Sequence, residues 1–230
     1  MLIPYDSVEK LDGETDLDAR TRVVASAKRA LGGRLTSVEI ALRGERIRVA
    51  SVYAPAEPRL RPVFFKLLKP KLKKRTLIGI DANCVPDVTI DVMTDATSPN
   101  NNNGADELAQ LTADLGLEDV AREQLDGERL FTAHRPTAAG ICRSRIDRFY
   151  TPTVDGLLWS HGVCHDFWPT YFTHAETGAR FLDHIAVQVS LVVAKGVRGT
   201  DVKRQCGVLP RSPGPHGTHA PSPCASSPSP

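Results

Sequence analysis

The sequence predicts an α/β sandwich: two facing sheets of mixed or antiparallel strands with helices on the outside. Three stretches carry that expectation. Thr76–Asp81 (TLIGID) is apolar on both faces, as a central strand of a covered sheet should be. Residues 36–42 and 45–53 alternate apolar with polar or small side chains, with Arg43-Gly44 as the hairpin turn between them. Ala105–Leu115 puts Leu108, Leu111 and Leu115 at helical spacing ahead of Gly116, a stop signal.

The remaining elements follow the same rules. Residues 1–5 are apolar enough for a short strand, and 6–17 read as an acidic loop. Residues 17–31 are expected as a short helix or strand running into a turn at Gly32-Gly33. Pro55, Pro58 and Pro62 make an exposed connection, and 63–74 reads as a helix interrupted at Pro70. A polar loop with the asparagine run 100–103 follows the central strand. Later strands are expected at 129–132, 145–150, 169–173 and 184–193. Strict β-α alternation is missing, which points to mixed or antiparallel sheets covered by helices. Residues 207–230 hold seven prolines among Ser, Gly and His and cannot build a core. The organisation expected is one domain over 1–198 and a disordered Pro/Ser-rich tail over 199–230.

Composition narrows the class. The chain has 230 residues, a net charge of +2, 41% hydrophobic and 24% charged residues, an ordinary globular balance. Charge alone therefore gives no nucleic-acid signature. The five cysteines, Cys84, Cys142, Cys164, Cys206 and Cys224, are odd in number and widely spaced, which argues against a disulfide framework. No apolar run approaches the ~20 residues that span a bilayer. The start lacks the basic and apolar regions of a signal peptide. The expectation is a soluble intracellular protein, nuclear or cytoplasmic, with no membrane partner and no obligate protein partner.

Three polar clusters sit at the ends of apolar strands. Asp81 and Asn83, in Gly79-Ile80-Asp81-Ala82-Asn83, fall on one face by strand alternation, a carboxylate beside a carboxamide. In Ser144-Arg145-Ile146-Asp147-Arg148-Phe149-Tyr150 charged residues alternate with apolar ones. Asp183-His184 opens a long apolar strand. Taken singly, each is more often structural: a capped loop, a surface strand with cross-strand ion pairs, a hydrogen-bonded histidine at a strand edge.

Their order says more. Val52-Tyr53-Ala54-Pro55, Gly79-Ile80-Asp81-Ala82-Asn83, Ser144-Arg145-Ile146-Asp147 and Leu182-Asp183-His184 together resemble the successive motifs of the endonuclease/exonuclease/phosphatase family. Between them, Asn103-Gly104 with Leu108 and Leu111, the stretch Gly116-Leu117-Glu118-Asp119-Val120-Ala121-Arg122, and Phe131-Thr132 before the Ser144 run are similar to retroelement-type endonucleases. The resemblance implies a DNase I-like sandwich and Mg²⁺- or Mn²⁺-dependent phosphodiester hydrolysis of DNA or another nucleic acid. By the same resemblance Asp183 helps hold the metal, a hard cation that prefers carboxylates. His184 contacts the scissile phosphate, and Asp147 holds His184 charged and oriented. Asp81 orients or deprotonates the attacking water or serves as proton donor. Asn83 and Tyr53 bind phosphate oxygens. The family's N-terminal strands, with an Asn and a metal-binding Glu, have no counterpart here, since neither Glu9 nor Glu14 follows an apolar strand. The expectation is thus a domain lacking those strands, with weakened metal affinity. The alternatives are an inactive remnant, or a phosphatase for a phosphorylated small molecule or lipid head group.

Other features weigh less. Lys66, Lys69, Lys71, Lys73, Lys74 and Arg75 read as a solvated helix face. Arg143, Arg145 and Arg148 flank Asp147 and are the nearer candidates for nucleic-acid contact. His161, Cys164, His165 and His174 are spaced only loosely like zinc ligands, with no second Cys pair. Trp159 and Trp168 are expected as packing residues.

Overall fold

The computed structural model describes residues 10–42, 45–73, 75–94, 102–124, 128–137, 140–152, 157–163, 184 and 187–193. The expectations for 1–5, 169–173, Cys164, His165, Trp168, His174 and the tail lie outside them, as does the turn at Arg43-Gly44.

The main sheet has six strands in the order β1-β2-β3-β4-β9-β6. They are β1 (Lys28–Ala30), β2 (Leu35–Leu42), β3 (Glu45–Tyr53), β4 (Thr76–Asp81), β6 (Leu117–Asp119) and β9 (Asp147–Pro152). Only β3 and β4 run parallel; every other neighbouring pair in the sheet is antiparallel. A parallel pair needs a crossover, and α2 (Arg61–Leu68) supplies it. A second, antiparallel sheet has the order β5-β8-β7, from β5 (Val92–Met93), which follows the short helix α3 (Val88–Asp91), β7 (Ala133–Thr137) and β8 (Gly140–Ser144). β10 (Leu157–Val163) and β11 (Val187–Val193) form a separate antiparallel pair.

Alternation along the main strands sorts the core into two faces. One face carries Leu35, Ala50, Val52, Ile78, Ile80 and Tyr150, packed with Phe64, Phe65 and Leu68 of α2 and with Leu108 and Leu111 of α4 (Ala105–Leu115). The other carries Ile40, Ile47, Val49 and Leu77, packed with Val23 of α1 (Asp16–Ala25) and flanked by Val38 and Phe149. Burying a side chain such as Phe65, Leu68 or Ile78 stabilises the fold by about 1.5–3 kcal/mol each. Helix ends are marked as the chemistry of caps demands. Thr15 and Asp18 form a reciprocal capping box at the start of α1. α4 runs between Gly104 and Gly116, both with positive φ. At Gly104 a Cβ would lie 2.6 Å from Arg61 Cβ, so the glycine also lets α4 approach α2. Lys66 and Lys69 bridge the same two helices through Glu107 and Asp114, as a solvated face does.

The two-sheet α/β class is the one expected, and the central strand and α4 fall on their expected residues. Residues 17–31 are both a helix and a strand, α1 and then β1. The helix expected over 63–74 begins at Arg61 and gives way to a 3-10 turn, Lys69–Lys71, around Pro70. Three strand expectations shift. Residues 129–132 precede β7, which starts at Ala133, and the last strand starts at Val187. The strand expected at 145–150 starts two residues later, as β9, after a corner at Arg145-Ile146 that separates it from β8 in the other sheet. No helix among the described residues is long and apolar enough to cross a membrane.

Candidate active site

The register of the main sheet assembles a transverse row of side chains. Tyr53 is level with Asp81 across the parallel β3–β4 pair, and Asp81 is level with Asp147 across β4–β9. Residues level across neighbouring strands share a face, and this is the Ile47/Val49/Leu77/Phe149 face. Two backbone bonds continue the pairing past the strand ends: Ala54 N donates to Asp81 O at 2.8 Å, and Ala82 N to Ile146 O at 2.9 Å. The row sits where β3 and β4 end and β9 begins, so its side chains meet at one rim of the sheet.

His184 closes the row. Its backbone bridges Ala133 at the start of β7, and its Nδ1 lies 2.8 Å from Asp147 Oδ2. Asp147 N in turn donates to the buried Thr132 Oγ1 at 3.0 Å. One ligand atom each from Asp81, Asp147 and His184 lies within 4.8 Å of the others. His184 and Asp147 keep 35% and 21% of their side-chain surface exposed, so the pair is open to a ligand.

Asn83 behaves differently from the strand-alternation reading. β4 ends at Asp81, and Asn83 takes a left-handed φ of 51°, which Asn tolerates better than most residues. Its amide N–H donates to Asp81 Oδ1 at 3.1 Å and its Nδ2 to Ala54 O at 3.0 Å. Asn83 therefore ties the Asp81 turn to the Tyr53–Ala54 turn.

Arg145 and Arg148 are not nucleic-acid contacts: they are 1% and 2% exposed. Arg145 makes a paired bond to the two carboxylate oxygens of Asp119 (2.9 and 2.8 Å), and its Nε donates to Asp91 at 2.8 Å. Arg148 reaches Asp119 at 2.9 Å and Asp91 at 3.0 Å, and donates to Arg145 O at 2.6 Å. Arg122 also pairs with Asp91. Burial alone would raise the Asp119 carboxyl, but hydrogen bonds and charge from Arg145, then charge from Arg148, hold it below the usual carboxylate range. Asp91 follows the same pattern, with burial outweighed by Arg148 and Arg145. The cluster braces the corner between β8 and β9, where Arg145 N also donates to Asp91 O at 2.9 Å, just before Asp147. The alternation of charge in Ser144–Tyr150 imitated a wet face because sequence does not reveal that both arginines have acids waiting from distant elements.

Asp183, the expected metal ligand, lies outside the described residues. Glu14 is taken up by Arg22, at 2.9 Å. For a hard divalent cation the fitting donors are the Asp81 and Asp147 carboxylates, since such ions take oxygen ligands. His184 Nδ1 is already engaged by Asp147. His161 falls on β10, and the other residues of the loose zinc-like spacing lie outside the described set.

One residue of the row belongs to no motif. Arg34 precedes β2 and faces Tyr53, whose N donates to Arg34 O at 2.9 Å. Its guanidinium lies 5.1 Å from the centre of the Tyr53 ring, and its Nη1 donates to Tyr53 O at 3.3 Å. The only signal in the sequence is its place after Gly32-Gly33, and the register of β2 on β3 is what makes it level with Tyr53.

The chain is similar to the endonuclease domain of TRAS1, a telomere-specific non-LTR retrotransposon, at 18% identity over 70% of this chain and 64% of that one, with a TM-score of 0.44. It is similar to an AP endonuclease from Archaeoglobus fulgidus at 20% identity, over 73% and 70% of the two chains, with a TM-score of 0.49. It is also similar to a 3'-5' exonuclease from Neisseria meningitidis at 14% identity, over 70% and 65%, with a TM-score of 0.49. The chain thus spans less than two thirds of the TRAS1 domain and of the exonuclease. No protein-family model matches the chain, and no curated protein does.

Proposed function

We propose that this chain is a metal-dependent phosphodiesterase of the endonuclease/exonuclease/phosphatase type that hydrolyses nucleic acid. The observation that carries the reading is the Asp147–His184 hydrogen bond, 2.8 Å long, beside Asp81 at one sheet rim. The residues come from three separate motifs, and the sequence order of those motifs alone suggested the same chemistry.

The roles follow from placement. Asp147 accepts from His184 Nδ1–H and orients the ring, and in the imidazolium form Nε2–H donates to a non-bridging phosphate oxygen. Asp81 accepts a proton from, or orients, the attacking water. Tyr53, half exposed at the end of the row, offers its hydroxyl to the phosphate. Asn83 holds the two turns that carry Tyr53 and Asp81 at a fixed separation. Asp81 and Asp147, with Asp183, are the carboxylates that would hold Mg²⁺ or Mn²⁺. When bound, such an ion neutralises charge that builds on the phosphate and the leaving oxygen.

The test is nicking of supercoiled plasmid with Mg²⁺ and with EDTA, using the full chain and the variants His184→Ala, Asp81→Ala and Asp183→Ala. Nicking that needs the metal and is lost in each variant is expected. Well-folded wild-type protein that nicks nothing, or nicking unaffected by His184→Ala, would sink the reading.

A further inference from the structure

Arg34 extends the catalytic row by one strand. Arg34 stands just before β2, level with Tyr53, which is level with Asp81 and through it with Asp147. Its backbone is helical (φ −75°, ψ −12°), and what sets it beside the row is the stacking of its guanidinium over the Tyr53 ring. Two strand spacings separate Arg34 from Asp81, about 10 Å, a gap that the length of an arginine side chain narrows toward a neighbouring phosphate.

The charge at this end of the row is not spoken for. Arg22, Arg48, Arg59, Arg122, Arg145 and Arg148 each pair with a carboxylate. Among the described residues no carboxylate pairs with Arg34, which reaches the Tyr53 carbonyl and stacks on its ring. A guanidinium stacked on an aromatic ring is oriented with little further loss of side-chain freedom and keeps its other N–H groups for a ligand. Arg29, exposed on β1 and level with Thr36, adds a second cation on the same face.

We propose that Arg34, stacked on Tyr53, is a subsite for the phosphate that flanks the scissile one, so that the site selects chains with at least two phosphodiesters. A phosphate beside the one held over Asp81 and His184 would lie toward β2, where a preoriented guanidinium can grip two of its oxygens. A phosphorylated small molecule or lipid head group with a single phosphate gains nothing from this contact. The proposal rests on the phosphodiesterase reading and sharpens it toward a polymeric substrate.

The experiment compares wild type, Arg34→Gln and Arg34→Lys, all as the full chain. Steady-state rates are measured with Mg²⁺ on a fluorescent duplex oligonucleotide and on bis(p-nitrophenyl) phosphate, a substrate with one phosphodiester. Oligonucleotide binding is measured by anisotropy in EDTA over a series of KCl concentrations. For Arg34→Gln we expect the ratio of the two kcat/KM values, oligonucleotide over small diester, to fall about tenfold through KM. The slope of log binding constant against log salt should shrink by about one phosphate contact. Arg34→Lys should recover most of the salt slope, because it keeps the charge. The proposal is overturned if both substrates fall together, which would mean Arg34 acts only by propping Tyr53, or if the Gln and Lys variants share the wild-type salt slope. Wild-type protein that hydrolyses neither substrate would sink the phosphodiesterase reading. The anisotropy in EDTA then still decides whether Arg34 grips a backbone phosphate.

Discussion

His184 Nδ1 lies 2.8 Å from Asp147 Oδ2, and the amide of Asp147 is fixed by the buried hydroxyl of Thr132. The histidine comes from a backbone bridge to β7, the aspartate from the first residue of β9, so one hydrogen bond joins the two larger sheets at the rim of the site. A carboxylate at that distance orients the ring and dictates which nitrogen faces the cleft. Asp147→Asn keeps the shape and removes the charge. It should lower kcat for plasmid nicking by about 10²–10⁴-fold. Rates of the two proteins, measured beside their thermal unfolding, check this. A fall in rate no larger than the fall in stability accounts for would show that the pair matters for packing alone.

The Asp91–Asp119–Arg145–Arg148 cluster predicts how the fold answers to acid. Both carboxyls are held below the ordinary range. Their stabilising effect is therefore present above the unfolded carboxyl pKa of ~3.9, and it is lost as the pH falls through the lower folded value. Asp91→Asn leaves three arginines facing one acid in a buried place, which should cost about 3–5 kcal/mol at neutral pH. Urea denaturation of both proteins at neutral pH and below pH ~4 tests the sign. The gap between them should narrow in acid, and a gap that stays constant would mean the cluster's charges do not report on stability.

That cluster also marks where the sequence stops being readable. Thr76–Asp81 and Ala105–Leu115 were legible because their patterns follow directly from what they bury: a strand covered on both faces, and a helix with one apolar stripe. Asp81, Asp147 and His184 were legible as motif residues, and register brings the three together. Arg145 and Arg148 were misread because an alternating strand and a corner folded around two distant acids have the same one-dimensional pattern. The late start of β9 after the corner at Arg145-Ile146 has the same cause, since Arg145 N bonds to Asp91 and not to a strand neighbour. β10 was missed because its partner β11 is remote in sequence, and only the pairing makes LLWSHGV a strand. Arg34 was invisible for a related reason: nothing local says which residue lies level with Tyr53.

Asn83 offers the sharpest separation of backbone from side chain. Its φ of 51° lies in the left-handed region, and its Nδ2 holds Ala54 O at 3.0 Å. Asn83→Gly relieves the backbone but gives up that bond, at a cost of about 1 kcal/mol. Asn83→Ala gives up the same bond and adds about 1–2 kcal/mol for a Cβ in the left-handed region. Thermal unfolding should therefore rank wild type above Asn83→Gly and Asn83→Ala last. Nicking should respond in another order. Both variants free the Tyr53–Ala54 turn from the Asp81 turn to the same extent, so both should lose rate by similar factors despite their different stabilities. If activity instead tracks stability, Asn83 serves the fold and not the spacing of Tyr53 from Asp81. If Asn83→Ala proves as stable as Asn83→Gly, the turn has relaxed out of the left-handed region and the bond to Ala54 is what sets it.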